Sequence, residues 1–186
     1  MVSTAEELSC TRCRLAKHRT RVVPGTGDSD TWLALIGEAP GKDEDIDGHP
    51  FVGRAGQHLN NILQSVGLIR EELFLDNVVH CRPPNNDLWP YPDATSLCPT
   101  LYLQRNLDSL QNLRCIVTLG ATAGALYFPG KRAMEQADLA RVLPSGIIVI
   151  GAPHPSYALR TGPAITASIR DSLVRAIVYR YVGRAR

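Results

Sequence analysis

The sequence lacks any apolar run long enough to span a bilayer, and its first residues lack the charged-then-apolar pattern of a secretion signal. These absences predict a cytoplasmic protein, located at the nucleoid if it binds DNA, with no membrane partner. Internal repeats and low-complexity linkers are also missing, and 186 residues fit a single domain over 1–186. With 44% hydrophobic and 20% charged residues, the composition is that of a globular chain rather than a disordered one.

A strong excess of charge of either sign is absent too, since the formal net charge is only +2. This balance permits a nucleic-acid partner without requiring one, because such a partner is recognised by local clusters of positive charge. One basic cluster surrounds the first two cysteines and consists of Arg12, Arg14, Lys17, Arg19 and Arg21. We interpret it as either a solvated charged turn or a phosphate-binding surface.

Four short apolar runs alternate along the chain with segments of helical periodicity. The runs are 32–36, 73–79, 115–119 and 147–151, and they have the composition of strands buried on both faces. Helices are predicted from about Ala55 to Gly67, over 94–112, from Ala121 to Tyr127, and from about Ala164 to Tyr181. This alternation predicts an α/β fold whose parallel sheet carries helices on both faces, with ligands bound beyond the carboxyl ends of the strands.

The cysteine count argues for a metal site. The five cysteines are not expected to form disulfides in a cytoplasmic chain, because thiols stay reduced there. Cys10 and Cys13 have the C-x2-C spacing of a metal-binding turn, and Cys81 and Cys98 end a Pro-rich loop that includes residues 83–92. Sulfur ligands suit zinc or an iron–sulfur cluster equally. Cys115 lies inside a predicted strand and is interpreted as a core residue.

The loop after the first predicted strand, residues 37–57, combines glycines and prolines with five carboxylates. The carboxylates are Glu38, Asp43, Glu44, Asp45 and Asp47. A solvated surface loop is the simplest interpretation, but the rigid frame at a strand's carboxyl end favours a catalytic or binding loop. The segment has neither a dinucleotide-binding fingerprint nor the Gly-Lys-Ser/Thr ending of a P-loop.

Four segments together carry a resemblance to a known family. GEAPGKDED, HPFVGRAGQ, NVVHCRPP and HPSYALR, in this order, resemble the iron–sulfur branch, family four, of the uracil-DNA glycosylase superfamily. The similarity runs from Cys10 to about Arg160. It implies a three-layer α/β/α domain with a central four-stranded parallel sheet, and a [4Fe-4S] cluster held by Cys10, Cys13, Cys81 and Cys98. Zinc is the less favoured occupant of that site.

The resemblance also implies an activity and a set of residues for it. Uracil in DNA, single- or double-stranded, would be flipped into a pocket and released by hydrolysis of its N-glycosidic bond. Matched by motif, the catalytic residues are Glu38, Glu44 and His154; the substrate-binding residues are Gly37, Ala39, Phe51 and Asn77; the DNA-binding residues are Ser156, Tyr157, Leu159 and Arg160. The amide of Asn77 suits the O4/N3 edge of uracil, and His154 can donate to O2 as negative charge develops there.

Some residues depart from the family pattern and leave other functions open. His80 stands where the family commonly has Lys, and the loop after CRPP carries Trp89 and Tyr91. Other branches of the superfamily have Asp or Asn at the position of Ala39, so the group that handles the attacking water stays open. The alternatives are a DNA-binding iron–sulfur protein without turnover and a zinc-stabilised α/β hydrolase. We expect a monomer.

Overall fold

A six-stranded sheet forms the centre of the computed structural model, which describes residues 4–137 and 139–182. The strands are β1 Thr26–Gly27, β2 Leu33–Gly37, β3 Phe74–Asn77, β4 Cys115–Leu119, β5 Ala140–Val142 and β6 Ile148–Ala152. Their order across the sheet is β1-β3-β2-β4-β6-β5. The four central strands run parallel, and β1 and β5 pair antiparallel at the two edges.

The predicted four-stranded parallel sheet is thus confirmed as the centre of a larger sheet, and the strand count is corrected to six in the described chain. The two additional strands gave no signal because they are short and lie at edges. β1 has two residues, and all three residues of β5 are exposed. Such strands need no apolar side chains, since they are little covered by the rest of the protein.

The helices are α1 Ala5–Leu8, α2 Lys42–Asp47, α3 Arg54–Ser65, α4 Pro92–Cys98, α5 Gln104–Asp108, α6 Ala121–Ala125, α7 Ala133–Gln136, α8 Pro155–Thr161 and α9 Pro163–Val182. The predicted helix over 94–112 is divided, because a π-helical turn, Pro99–Leu103, joins α4 to α5. Proline has no N–H for the helical ladder, so a wider turn at Pro99 is expected. Helix α2 lies in the segment 37–57 that was interpreted as a loop, and no helix was predicted for the segment that forms α8.

Two hydrophobic cores lie on opposite faces of the sheet. Along β2, Ala34 and Ile36 enter one core while Leu33 and Leu35 enter the other, as the alternation of side chains along a strand requires. The first core receives the N-terminal segment, α4 and α5; the second receives α3, α8 and α9, and it buries Cys115. The three-layer α/β/α arrangement is therefore confirmed. In the described part of the chain, no helix is long and apolar enough to cross a membrane.

Helix α2 forms without an apolar stripe because its carboxylates have defined partners. The side chain of Glu44 accepts a hydrogen bond from the Gly41 N–H at 3.0 Å, which caps the first turn. Asp45 is only 3% exposed, and it accepts hydrogen bonds from the backbone N–H groups of Thr20, at 2.9 Å, and of Arg21, at 3.3 Å. Asp45 thereby ties α2 to the segment that follows the first cysteine pair.

We predict that Asp45→Ala lowers the free energy of unfolding by about 1–3 kcal/mol, because it leaves two backbone donors without their acceptor. Urea denaturation followed by circular dichroism measures the change. Asp47→Ala is the matched control, since Asp47 is exposed beside His49 and its loss should stay within about 0.5 kcal/mol. Equal stabilities for the two variants would contradict the anchoring role of Asp45.

Candidate active site and four-cysteine cavity

A cleft of about 690 Å³ opens at the carboxyl ends of the parallel strands. Glu38 follows β2, Asn77 is the last residue of β3, and His154 follows β6, so the sheet brings together residues far apart in sequence. Phe51, in the turn before α3, completes this wall. The lining also includes Ala39, Glu44, Ser156, Leu159 and Arg160. Ten of the eleven residues predicted for catalysis, substrate binding and DNA binding line or adjoin this cleft, with Tyr157 lying outside its lining.

Gly37 lies behind the lining and allows two pocket residues to approach each other. A methyl group placed on Gly37 would lie 2.5 Å from Oδ1 of Asn77 and 2.6 Å from the Phe51 ring. Both separations are far below van der Waals contact. Glycine at the end of β2 is therefore required for the positions of Asn77 and Phe51.

Phe51 is buried and has a left-handed backbone, with φ of 57°. This region is costly for a residue with a large side chain, so the surroundings must hold it. Gly56 in α3 contributes, because a methyl group there would lie 1.8 Å from the carbonyl oxygen of Phe51. The ring of Phe51 stacks on that of His154, with centroids 6.3 Å apart and planes at 29°. The aromatic wall of the cleft is thus fixed by backbone packing.

The amide of Asn77 is available to a ligand. The residue is 3% exposed, and its backbone N–H donates to Oδ1 of Asp76 at 2.7 Å. Its side-chain amide lines the cleft and makes no hydrogen bond to the described residues. A ligand in the cleft can supply both the donor and the acceptor that the amide needs.

His154 is a neutral hydrogen-bond donor. It forms the N-cap of α8, where its Nδ1 accepts a hydrogen bond from the Ser156 N–H at 3.1 Å. Because Nδ1 is an acceptor there, the ring proton of neutral His154 resides on Nε2. Burial, and secondarily the charge of Arg160, lower the pKa of His154 to about 4. The imidazole therefore stays uncharged at physiological pH.

The two catalytic glutamates of the sequence prediction occupy different environments. Glu38 is partly exposed in the cleft, and its Oε2 accepts a hydrogen bond from the Thr122 hydroxyl at 2.5 Å. Both oxygens of Glu44 accept backbone hydrogen bonds, from Gly41 at 3.0 Å and from Gly53 at 2.7 Å. Thr122 was missed by sequence reasoning; its only signal was its place just after the carboxyl end of β4.

Comparison with known proteins shows the family to which the chain belongs. Residues 24–176 match the family model described as the uracil DNA glycosylase superfamily. The chain belongs to this superfamily. Over 179 residues it is 38% identical to a Type-4 uracil-DNA glycosylase of Thermotoga maritima, covering 95% of this chain and 88% of the relative. It is also 44% identical over 164 residues to a Type-4 uracil-DNA glycosylase of Sulfurisphaera tokodaii, covering 83% and 73%.

A more distant relative belongs to another type. The chain is 32% identical over 117 residues to a Type-5 uracil-DNA glycosylase of Thermus thermophilus, which covers 55% of this chain and 52% of the relative. The resemblance inferred from four sequence motifs is therefore confirmed, and Type 4 is the better-covered match.

In this member of the uracil DNA glycosylase superfamily, the four residues predicted to contact DNA share one short helix, α8. The cleft is lined by Ser156, Leu159 and Arg160. Tyr157 is exposed, and the guanidinium carbon of Arg160 lies 5.9 Å from the centroid of the Tyr157 ring. Leu159 is also exposed. Because His154 caps this helix, the helix and the ring of His154 have fixed relative positions.

The four predicted ligand cysteines lie around one small cavity, defined here as the cysteine cavity and lined by Cys10, Cys13, Cys81 and Cys98 together with neighbours that include Tyr102. The hydroxyl of Tyr102 is buried there and has no partner among the described residues. Arg19 donates to the Sγ of Cys81 at 3.4 Å, and the His80 N–H donates to the Sγ of Cys98 at 3.4 Å. Such donors suit thiolates bound to an iron–sulfur cluster.

The four thiols share a cavity but are not arranged around one point in it. Within the described residues, no group of three or more His, Cys, Asp and Glu side chains is arranged to hold a metal ion. Burial raises the pKa of the Cys81 thiol to about 12, so its thiolate needs the positive charge of a bound metal group.

We predict that His154 titrates with a pKa of about 4 and is an Nε2–H tautomer above it. Because folding lowers this pKa from 6.5, the histidine favours the folded state above pH 6.5, and this contribution is lost as the pH falls towards about 4. Nitrogen-correlated NMR of the histidine rings measures both properties, and the variant His154→Gln assigns the signal by its disappearance. A titration near 6.5, or an Nδ1–H tautomer, would contradict this environment.

Proposed function

We propose that this protein hydrolyses the N-glycosidic bond of uracil in DNA, which releases uracil and leaves an abasic site. The observation that carries the proposal is the cleft in which the amide of Asn77 accompanies the neutral N–H donor of His154 and the ring of Phe51. The printed names of the Type-4 relatives support it.

Recognition of the base rests on Asn77. Uracil presents an acceptor at O4 and a donor at N3, and a carboxamide offers the complementary donor and acceptor. Cytosine presents a donor and an acceptor in the reversed positions. A carboxamide of fixed orientation therefore discriminates against cytosine, because the mismatch leaves buried polar groups unpaired. Since the bond to be broken is inaccessible within a duplex, the nucleotide enters the cleft in a flipped conformation, against Phe51.

His154 stabilises the leaving group. As the glycosidic bond breaks, electrons move onto the uracil ring, and O2 gains negative charge. A preorganised neutral N–H donor at O2 stabilises that charge without having to transfer its proton. Sequestration of Nδ1 by Ser156 keeps the Nε2 proton directed to the cleft.

Glu38 stabilises the positive charge that develops on the sugar and orients the attacking water. One of its oxygens accepts a hydrogen bond from the Thr122 hydroxyl, and the other makes no hydrogen bond to the described residues. Ala39 has no polar side chain for this role, so we assign the water to Glu38 as part of the proposal. Glu44, whose oxygens both hold backbone groups, is a positioning residue for the turn that carries Phe51.

Helix α8 engages the DNA around the flipped nucleotide. Leu159 is apolar, exposed and at the cleft, which suits a side chain that fills the space left in the base stack. Arg160 and Ser156 supply donors for the phosphates that flank the uracil. Single- and double-stranded DNA are both compatible with this arrangement.

We further propose that Cys10, Cys13, Cys81 and Cys98 hold a [4Fe-4S] cluster. When bound, the cluster acts as a cross-link between the N-terminal segment and the loop from Cys81 to Cys98, and the reaction itself does not use it. Tyr102, Arg19 and His80 supply the surrounding donors. One domain over 1–186, a monomeric state and a cytoplasmic location stay predictions.

We predict release of free uracil from uracil-containing oligonucleotides, and losses of about 10²- to 10³-fold in kcat for His154→Ala, which removes a transition-state donor. Asn77→Ala should reduce kcat/KM at least as much, because it removes base recognition. Single- and double-stranded substrates, with hypoxanthine and thymine as comparison bases, define the specificity. DNA retention without base release by the unchanged protein would instead favour the binding protein without turnover.

We also predict that anaerobically purified protein is brown and contains about four iron and four sulfide per chain, as a [4Fe-4S] cluster requires. Cys81→Ala should lose most of the iron, since it removes one ligand. Cys115→Ala is the matched control because Cys115 is buried in the sheet core away from the cysteine cavity, so its iron content should be unchanged. A colourless protein with one zinc per chain would contradict the cluster.

A further inference from the structure

Trp89 has no packing role within the described chain. It is 91% exposed, the most exposed of the large hydrophobic residues in the structure. It lies near the middle of the segment that joins Cys81 to Cys98. Tryptophan is usually buried over much of its large surface, so a side chain left almost entirely in water suggests a partner outside the chain.

The loop that carries Trp89 is held in place. The backbone N–H of Trp89 donates a hydrogen bond to Oδ1 of Asp87 at 3.0 Å, and Leu88 is buried in the first core. On the other side, Arg14 donates to the carbonyl oxygen of Pro90 at 2.5 Å and to Asp93 at 3.0 Å. A partner that contacts Trp89 therefore does not have to order a disordered segment first.

A groove of about 640 Å³ runs from Trp89 to the cleft of the proposed uracil site. Glu38 and Asn86 line both, so the groove and the cleft are continuous. Its apolar walls come from Leu88, Trp89 and Pro92. The charged groups in its lining, Glu38 and Asp87, are both acidic, so a phosphate would be repelled there while an uncharged base would be accepted.

We propose that this groove binds one nucleobase of the strand that carries the uracil, a near neighbour of the flipped nucleotide, stacked on the indole of Trp89. The proposal rests on the proposed function and adds a second base site to it. Stacking on an aromatic side chain tolerates any base, because every base has a π face. The site favours single-stranded DNA, in which the neighbouring bases are unpaired and free to enter the groove.

The experiment measures kcat/KM for uracil release from single-stranded oligonucleotides in which each base within about three nucleotides of the uracil is replaced, one at a time, by an abasic analogue. Wild type, Trp89→Ala and Trp89→Phe are compared. At one position, base removal should lower the wild-type value by about 5- to 10-fold. Trp89→Ala should cost the same factor with the intact strand and show no further loss when that base is absent. Trp89→Phe, which keeps an aromatic face, should remain within about twofold of wild type.

The outcomes separate this proposal from the proposed function. Uracil release by the wild type with no position coupled to Trp89 overturns the base site and leaves the glycosylase activity intact. Absence of uracil release by the wild type overturns the activity itself. In a fully paired duplex, the coupling between Trp89→Ala and removal of the neighbouring base should be below about twofold. Strong coupling in the duplex would overturn the preference for unpaired bases. Because Trp89 is exposed, the variants should unfold at the wild-type temperature, which circular dichroism verifies.

Discussion

A carboxylate with no access to water connects the cleft to the cysteine cavity. Asp76, in β3, is fully buried, and a buried charge is tolerated only where partners surround it. Its Oδ1 accepts from the Asn77 N–H, and its Oδ2 accepts from the Asn106 amide at 3.0 Å. Nε2 of His80 lies 2.8 Å from Oδ1, a close ion-pair contact without the alignment of a hydrogen bond. The backbone of Asn77, the residue proposed to recognise the base, is thus hydrogen-bonded to a buried side chain that also contacts His80.

His80 carries this constraint to the N-terminal segment. Its Nδ1 lies 2.7 Å from Oε1 of Glu7, which is 2% exposed, so two buried carboxylates flank one imidazole. Burial alone would lower the pKa of His80, but Asp76 and Glu7 outweigh it and raise that pKa well above its ordinary value. The two carboxylates thus favour the protonated form of the ring. This accounts for the departure from the lysine common in the resembling family, since either side chain supplies a positive charge between the carboxylates.

The sequence predicted those parts of the protein in which local pattern and tertiary structure agree. The four central strands were predictable because strands covered on both faces are largely apolar, and Gly37, Asn77 and His154 were predicted from the family motifs together with their places at strand ends. Helix α2 was not, because KDEDID has no apolar stripe and forms through tertiary partners of Glu44 and Asp45. The partnership of Thr122 with Glu38 joins residues 84 positions apart, and no local pattern encodes such a contact.

Two different frameworks therefore position the two halves of the proposed DNA-binding surface. Asn77 and His154 are placed by parallel strands with continuous hydrogen bonding, which leaves little freedom at the cleft. The segment from Cys81 to Cys98 pairs with no strand; its ends are cysteines, and its middle is tied down by Arg14 beside Cys13. A segment held by Arg14 and by the buried Leu88 can change its outward residues without disturbing the sheet. The residues proposed to act on the uracil and those proposed to contact the rest of the DNA strand can therefore vary independently. This independence explains how a cleft with the residues of the family occurs beside Trp89, which departs from the family pattern.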